Sequence, residues 1–270
     1  MPLRPVRHIA SIAAVVIVLV EGVHFLADDP EHFAEVYSGA VQMAHPEHWM
    51  GDSGAEIGIL STDLAFTADE YGSPNAGFLH GSISMNALRI LRVEPLPRTK
   101  MTGMLQEFRG GGGADDDAKR RGRSELASLP DNVFATAIIE LARPLDERQL
   151  DTTFPGLLAT KGDGMYLFLS GVDKGMTKPV FWRSCAVYRP SECEQKSGLE
   201  LYRRWVSELR RLDGIGLAQL DLDIDRLREA AREGRVYGML TYGYPGSRLS
   251  EMLDLPAVRT IRIVETRTIG

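Results

Sequence analysis

Apolar positions along this 270-residue chain follow three different rhythms. Residues 9–26 are an almost unbroken hydrophobic run. Residues 57–93 mix apolar and polar positions between Gly58, Gly72, Pro74, Gly77 and Gly81, and the C-terminal half switches between periods of two and of about 3.6. About eighteen helical residues rising 1.5 Å each reach roughly 27 Å, close to the ~30 Å hydrocarbon core of a bilayer, so the first run predicts a membrane span. Its apolar side chains supply on the order of −3 to −6 kcal/mol of insertion free energy, against up to about 3 kcal/mol for Glu21. Arg4 and Arg7 precede the run, and no Lys or Arg occurs from Ala27 to Leu88. Basic residues beside a span stay cytoplasmic, which predicts residues 1–8 inside and the body outside, in the cell envelope. The alternative is a cleaved signal peptide with core 9–20 and Val20 and Gly22 as the cleavage pair, giving a secreted protein. Both readings export the body.

Residues 29–43 predict a short helix with Phe33, Val36 and Tyr37 on one side, then a break at His45–Trp49 and short strands to residue 93. Between 109 and 125 lie Gly110 to Gly113, Asp115 to Asp117 and a basic cluster, and nothing up to Arg123 is more apolar than alanine. That composition predicts a solvated linker between a juxtamembrane segment, 27–108, and a C-terminal domain, 126–270. In the latter, strands are expected at 133–141, 165–172, 179–188, 236–244 and 258–265. Helices are expected from Pro144, at 199–212, at 223–233 before Gly234, and at 247–253. Tyr202, Trp205, Val206, Leu209 and Leu212 form one face of the second, opposite Arg203, Arg204, Ser207, Glu208 and Arg211. The order βαββααβαβ predicts an α/β (α+β) domain, a mixed sheet covered by helices.

A net charge of −6 with no basic stripe argues against a nucleic-acid partner, because a polyanion must be met by clustered Lys and Arg. The two cysteines, Cys185 and Cys193, sit close together, and in an oxidising compartment they predict a disulfide contributing roughly 2.5 kcal/mol.

Motifs for chemistry are weak. Gly51-Asp52-Ser53-Gly54 matches the letters around a chymotrypsin-like nucleophile, but too little chain precedes Ser53 to build that barrel, and a polar turn is the expectation. Asp221, Asp223 and Asp225 begin like a calcium loop, yet Arg226 and Arg232 stand where glycine and a bidentate glutamate are needed. His45 and His48 flank Glu47, but Pro46 separates them and a third ligand is not evident; His24 and His80 have no visible partner. No catalytic residue, metal or cofactor is therefore expected. Trp182, Tyr188, Tyr242 and Tyr244 are the aromatics to test as a binding surface, with core packing the competing role.

Two stretches carry a resemblance. Residues 135–150, and residues 236–262 reading VYGMLTYGYPGSRLSEMLDLPAVRTIR, resemble the C-terminal domain of bacterial sigma factor regulators, the extracytoplasmic part of some membrane-bound anti-sigma factors. The likeness covers about residues 129–265 and rests on Tyr237, Gly238, Gly243, Leu249, Leu253, Val258 and Arg259. It implies an external sensor or regulator module with a membrane or envelope protein partner. An anti-sigma factor grips its target with a cytoplasmic domain, whereas residues 1–8 are too short for that. The resemblance thus implies the sensor half of a split system, or a relative that kept the module for another partner. The opposing classes are an envelope hydrolase with a dispersed site and a structural envelope protein.

Overall fold

The computed structural model describes residues 30–57, 61–70, 79–86, 89–130, 132–155, 166–171, 179–183 and 196–268. The expected span at 9–26, Cys185, Cys193 and Tyr188 lie outside them. Among the described residues no helix is long and apolar enough to cross a membrane.

The first unit is helix α1 (Pro30–Ala44) followed by a four-stranded meander, β1 (His48–Ile57), β2 (Ser61–Glu70), β3 (Leu79–Asn86) and β4 (Leu91–Val93), each strand antiparallel to the next. Thr62, Leu64, Phe66 and Ala68 alternate inward on β2, as do Gly81, Ile83 and Met85 on β3, so one face of the sheet is buried. Helix α1 covers that face and then goes further. Ten of its fifteen residues are buried, which makes it a core helix rather than a surface one. Residues 51–54, expected as a polar turn, instead continue β1: Ser53 pairs with Phe66 and Gly54 with Ala65, and a bulge between Met50 and Ser53 takes up Gly51 and Asp52.

Next come α2 (Lys100–Gln106) and α3 (Asp116–Ala127), then β5 (Val133–Leu145), α4 (Glu147–Thr153), β6 (Tyr166–Phe168), β7 (Phe181–Arg183), α5 (Gly198–Glu208), α6 (Asp213–Gln219), α7 (Ile224–Glu233), β8 (Val236–Pro245), α8 (Gly246–Asp254) and β9 (Val258–Thr268). The second sheet has the order β7-β6-β8-β5-β9. All its described pairings are antiparallel, a correction to the mixed sheet expected. The crossover β8–α8–β9 does deliver two parallel strands, but β5 lies between them and runs opposite to both. This sheet is buried on two sides. Ala135, Ala137, Ile139 and Leu141 face the main core, with Met239, Ile261 and the helices, while Ile138 and Leu240 join Phe108, Phe168 and Phe181 in a second core under α2. Double coverage explains why β5 reads as a nearly continuous apolar run.

The linker expected at 109–125 is a correction too. Residues 116–127 are helical, and the preceding glycines form a strap laced onto β5 by Gly111 N–H to the Leu141 carbonyl and Gly113 N–H to the Ala142 carbonyl, both 2.8 Å. Gly111 and Gly113 have φ of +83° and +87°, and a Cβ on Gly110 would collide with the Tyr237 carbonyl. Helix α3 needs little apolar area to dock. Ala118, Gly122 and Leu126, four apart, form its buried stripe, and Gly122 lets it approach Ile261 of β9. Pro144 belongs to β5 rather than to a helix; α4 starts at Glu147 behind an Asp146–Gln149 capping box. Helix α5 stops at Glu208, leaving Leu212 exposed, while α7 begins behind Asp223 and ends at Gly234 with φ of +58°, as the pattern predicted.

Candidate functional site

Four residues where α1 gives way to β1 assemble the densest group of metal-ligating side chains among the described residues. The helix runs out with His45 N–H bonded to the Val41 carbonyl at 2.8 Å, and Pro46 cannot continue the ladder. The chain reverses instead in a four-residue turn closed by His48 N–H to the His45 carbonyl at 3.1 Å, with Pro46 at the position its fixed φ favours. His48 then opens β1 opposite Glu70. The turn directs one nitrogen of each histidine and one Glu47 oxygen to within 4.8 Å of one another. His45 Nδ1 lies 3.5 Å from Glu47 Oε1. Glu47 and His48 are buried, and the His45 side chain is 22% exposed, which leaves the group one opening to solvent.

Pro46, expected to separate His45 from His48, does not keep them apart. At helical spacing it would divide them; in a turn it brings them together. Glu47, which lies between them in the order His-Pro-Glu-His, brings a carboxylate oxygen beside the two rings.

Of the four aromatics expected as a binding surface, the three described ones, Trp182, Tyr242 and Tyr244, do not gather. Trp182 on β7 is in the core, its ring 5.3 Å from that of Tyr202 and 5.5 Å from that of Trp205. Tyr188 lies outside the described residues. Tyr242 and Tyr244 would share a strand face if β8 were regular, but Gly243 between them has φ of +61°. Tyr242 accordingly packs toward the Phe108 cluster and Tyr244 against the main core. Tyr244 does line a groove of about 480 Å³, with Phe154, Arg248, Glu251 and Met252.

Among the remaining described candidates, the aspartate run has a structural role. Asp223 accepts from the N–H groups of Asp225 and Arg226, so the aspartate run caps a helix. His80 is exposed on β3, and His24 lies outside the described residues. Two buried carboxylates that the sequence did not single out hold elements together. Asp213, fully buried, meets His32 Nε2 at 3.1 Å, the Arg210 N–H at 2.6 Å and Arg89 at 3.8 Å. Glu140 meets Arg262 at 2.7 Å and the Arg109 N–H at 3.0 Å. Burial pushes the Glu140 carboxyl above the usual carboxylate range, outweighing its arginines. Asp115 moves the other way, lowered by the Ala118 N–H it accepts and by Arg259.

Comparison of the chain with protein-family models, with curated proteins and with solved structures found no match.

Proposed function

We propose that this chain is a single-pass envelope protein, N-terminus inside, whose external α+β body binds a membrane or envelope protein and serves as a sensor or regulator of the kind found in sigma factor regulation. The observation that carries the reading is the join between residues 9–26 and α1. The apolar run ends only a few residues before Pro30, and the helix that begins there is buried along most of its length. A body attached through a core helix, with little chain between, feels displacement at the membrane directly, as a sensor must. The uneven placement of Lys and Arg on the two sides of the run supports the orientation. The β8–α8–β9 unit runs strand, helix, strand, with Gly243 inside β8, an order compatible with the resemblance, and the Tyr244 groove beside it offers an aromatic and charged rim for a partner.

A protease added to intact spheroplasts tests the topology. The reading expects residues beyond 30 to be digested while a cytoplasmic control survives. Protection until lysis overturns it.

A further inference from the structure

We propose that His45, Glu47 and His48 form a binding site for a divalent first-row transition ion, of which zinc is the representative. The inference stands on the turn alone and holds whether or not the body is tethered to a membrane. Three donors of the right chemistry, two imidazole nitrogens and one carboxylate oxygen, converge from four consecutive residues within 4.8 Å. Imidazole and carboxylate together suit zinc, nickel and copper better than calcium or magnesium, which take all-oxygen shells.

The geometry is close to what such an ion requires. Two ligands on one tetrahedral zinc ion at about 2.0–2.1 Å each stand roughly 3.3–3.5 Å apart. His45 Nδ1 and Glu47 Oε1, at 3.5 Å, already do. The widest donor separation of 4.8 Å must close by about 1.4 Å. His45, the part-exposed member, is the side chain with the most room to turn toward the others. His48 is fully buried and gives the fixed point, with β1 setting its backbone; the His45 side chain, 22% exposed, gives the entry path. Three protein ligands leave a fourth position for water, the count used by zinc sites that keep an open coordination place.

An internal His45–Glu47 ion pair is the competing account, and it predicts no affinity for metal. The test uses the full-length chain, free of any histidine tag and dialysed against chelator, with zinc as the probe. Thermal melting is followed with and without the ion, in the wild type and in the His45→Gln and Glu47→Gln variants. Wild type is expected to gain about 5–10 °C at a hundredfold excess over Kd, as ion binding to the native state requires. Both variants are expected to lose that gain. His45→Gln, at a part-exposed position, should melt near the metal-free wild type, so its loss of response is not a loss of fold. Cobalt should give ligand-field absorption bands in the wild type that are absent from His45→Gln. Two results overturn the site: no shift in the wild type at millimolar zinc, or an equal shift in both variants, which would mean an adventitious ion only.

Discussion

Removing the carboxylate of Asp213 should loosen α1 from the body. Asp213 is fully buried at the start of α6 and is the common partner of three elements: His32 on α1, Arg89 at the β3–β4 turn, and the chain just before its own helix. Asp213→Ala deletes a 2.6 Å bond from the Arg210 N–H and a 3.1 Å contact with His32, and it takes the counter-charge away from Arg89. A hydrogen bond to a charged group contributes about 1.5–3 kcal/mol, and breaking a buried pair from one side costs about 3–5 kcal/mol. The two contacts are not additive, so the expected loss is about 3–5 kcal/mol. Asp213→Asn keeps an oxygen for the Arg210 N–H while losing the charge, and should cost roughly half as much. Urea unfolding followed by tryptophan fluorescence measures both, since Trp205, which donates to the Glu35 carbonyl at 3.1 Å, sits where α5 meets α1. A double-mutant cycle with His32→Ala should return a coupling of about 0.5–3 kcal/mol. A loss below about 1 kcal/mol for Asp213→Ala, or a coupling near zero, would show that Asp213 is not what holds α1.

Two further expectations follow from the second sheet. Gly238 sits in β8 where an added Cβ would stand 2.6 Å from the Ile139 carbonyl and 2.8 Å from Phe108, so Gly238→Ala should cost about 1–3 kcal/mol in a thermal melt, and a neutral result would refute the close approach of β8 to β5. Glu140 has its carboxyl raised by burial, so the native state holds that proton to higher pH than the unfolded chain does. Its favourable contribution is complete below the unfolded value and lost as pH rises through the folded one. Urea midpoints compared across the range just above pH 4.5 should therefore fall more steeply in the wild type than in Glu140→Gln; parallel curves would contradict the shift.

The helices with strong edges were legible without coordinates. Asp223 and Gly234 bracket α7, and the spacing of Tyr202, Trp205 and Val206 marks α5, because caps and amphipathic periods are local properties. The elements that were missed owe their order to distant partners. Helix α3 has a stripe of only Ala118, Gly122 and Leu126, and it becomes a helix worth burying because β9 is there to receive it. The glycine strap reads as a linker until Leu141 and Ala142 offer carbonyls to its N–H groups. Strand direction was also beyond local reading, since β8 and β9 follow a helical crossover as parallel strands do and only the insertion of β5 between them makes the sheet antiparallel.

The chain by itself determined where its long hydrophobic run lies, which side of that run is basic, and the caps and periods of its strongest helices, since each depends on neighbours within a few residues. Tertiary structure decided that α1 is a core helix, that Asp213 and Glu140 join separate elements, and that Trp182 is interior rather than a surface for a partner. The His45–His48 turn lies between the two. Its four letters are local, but their meaning depends on whether Pro46 divides a helix or closes a turn, and the docking of α1 against β1 selects the turn.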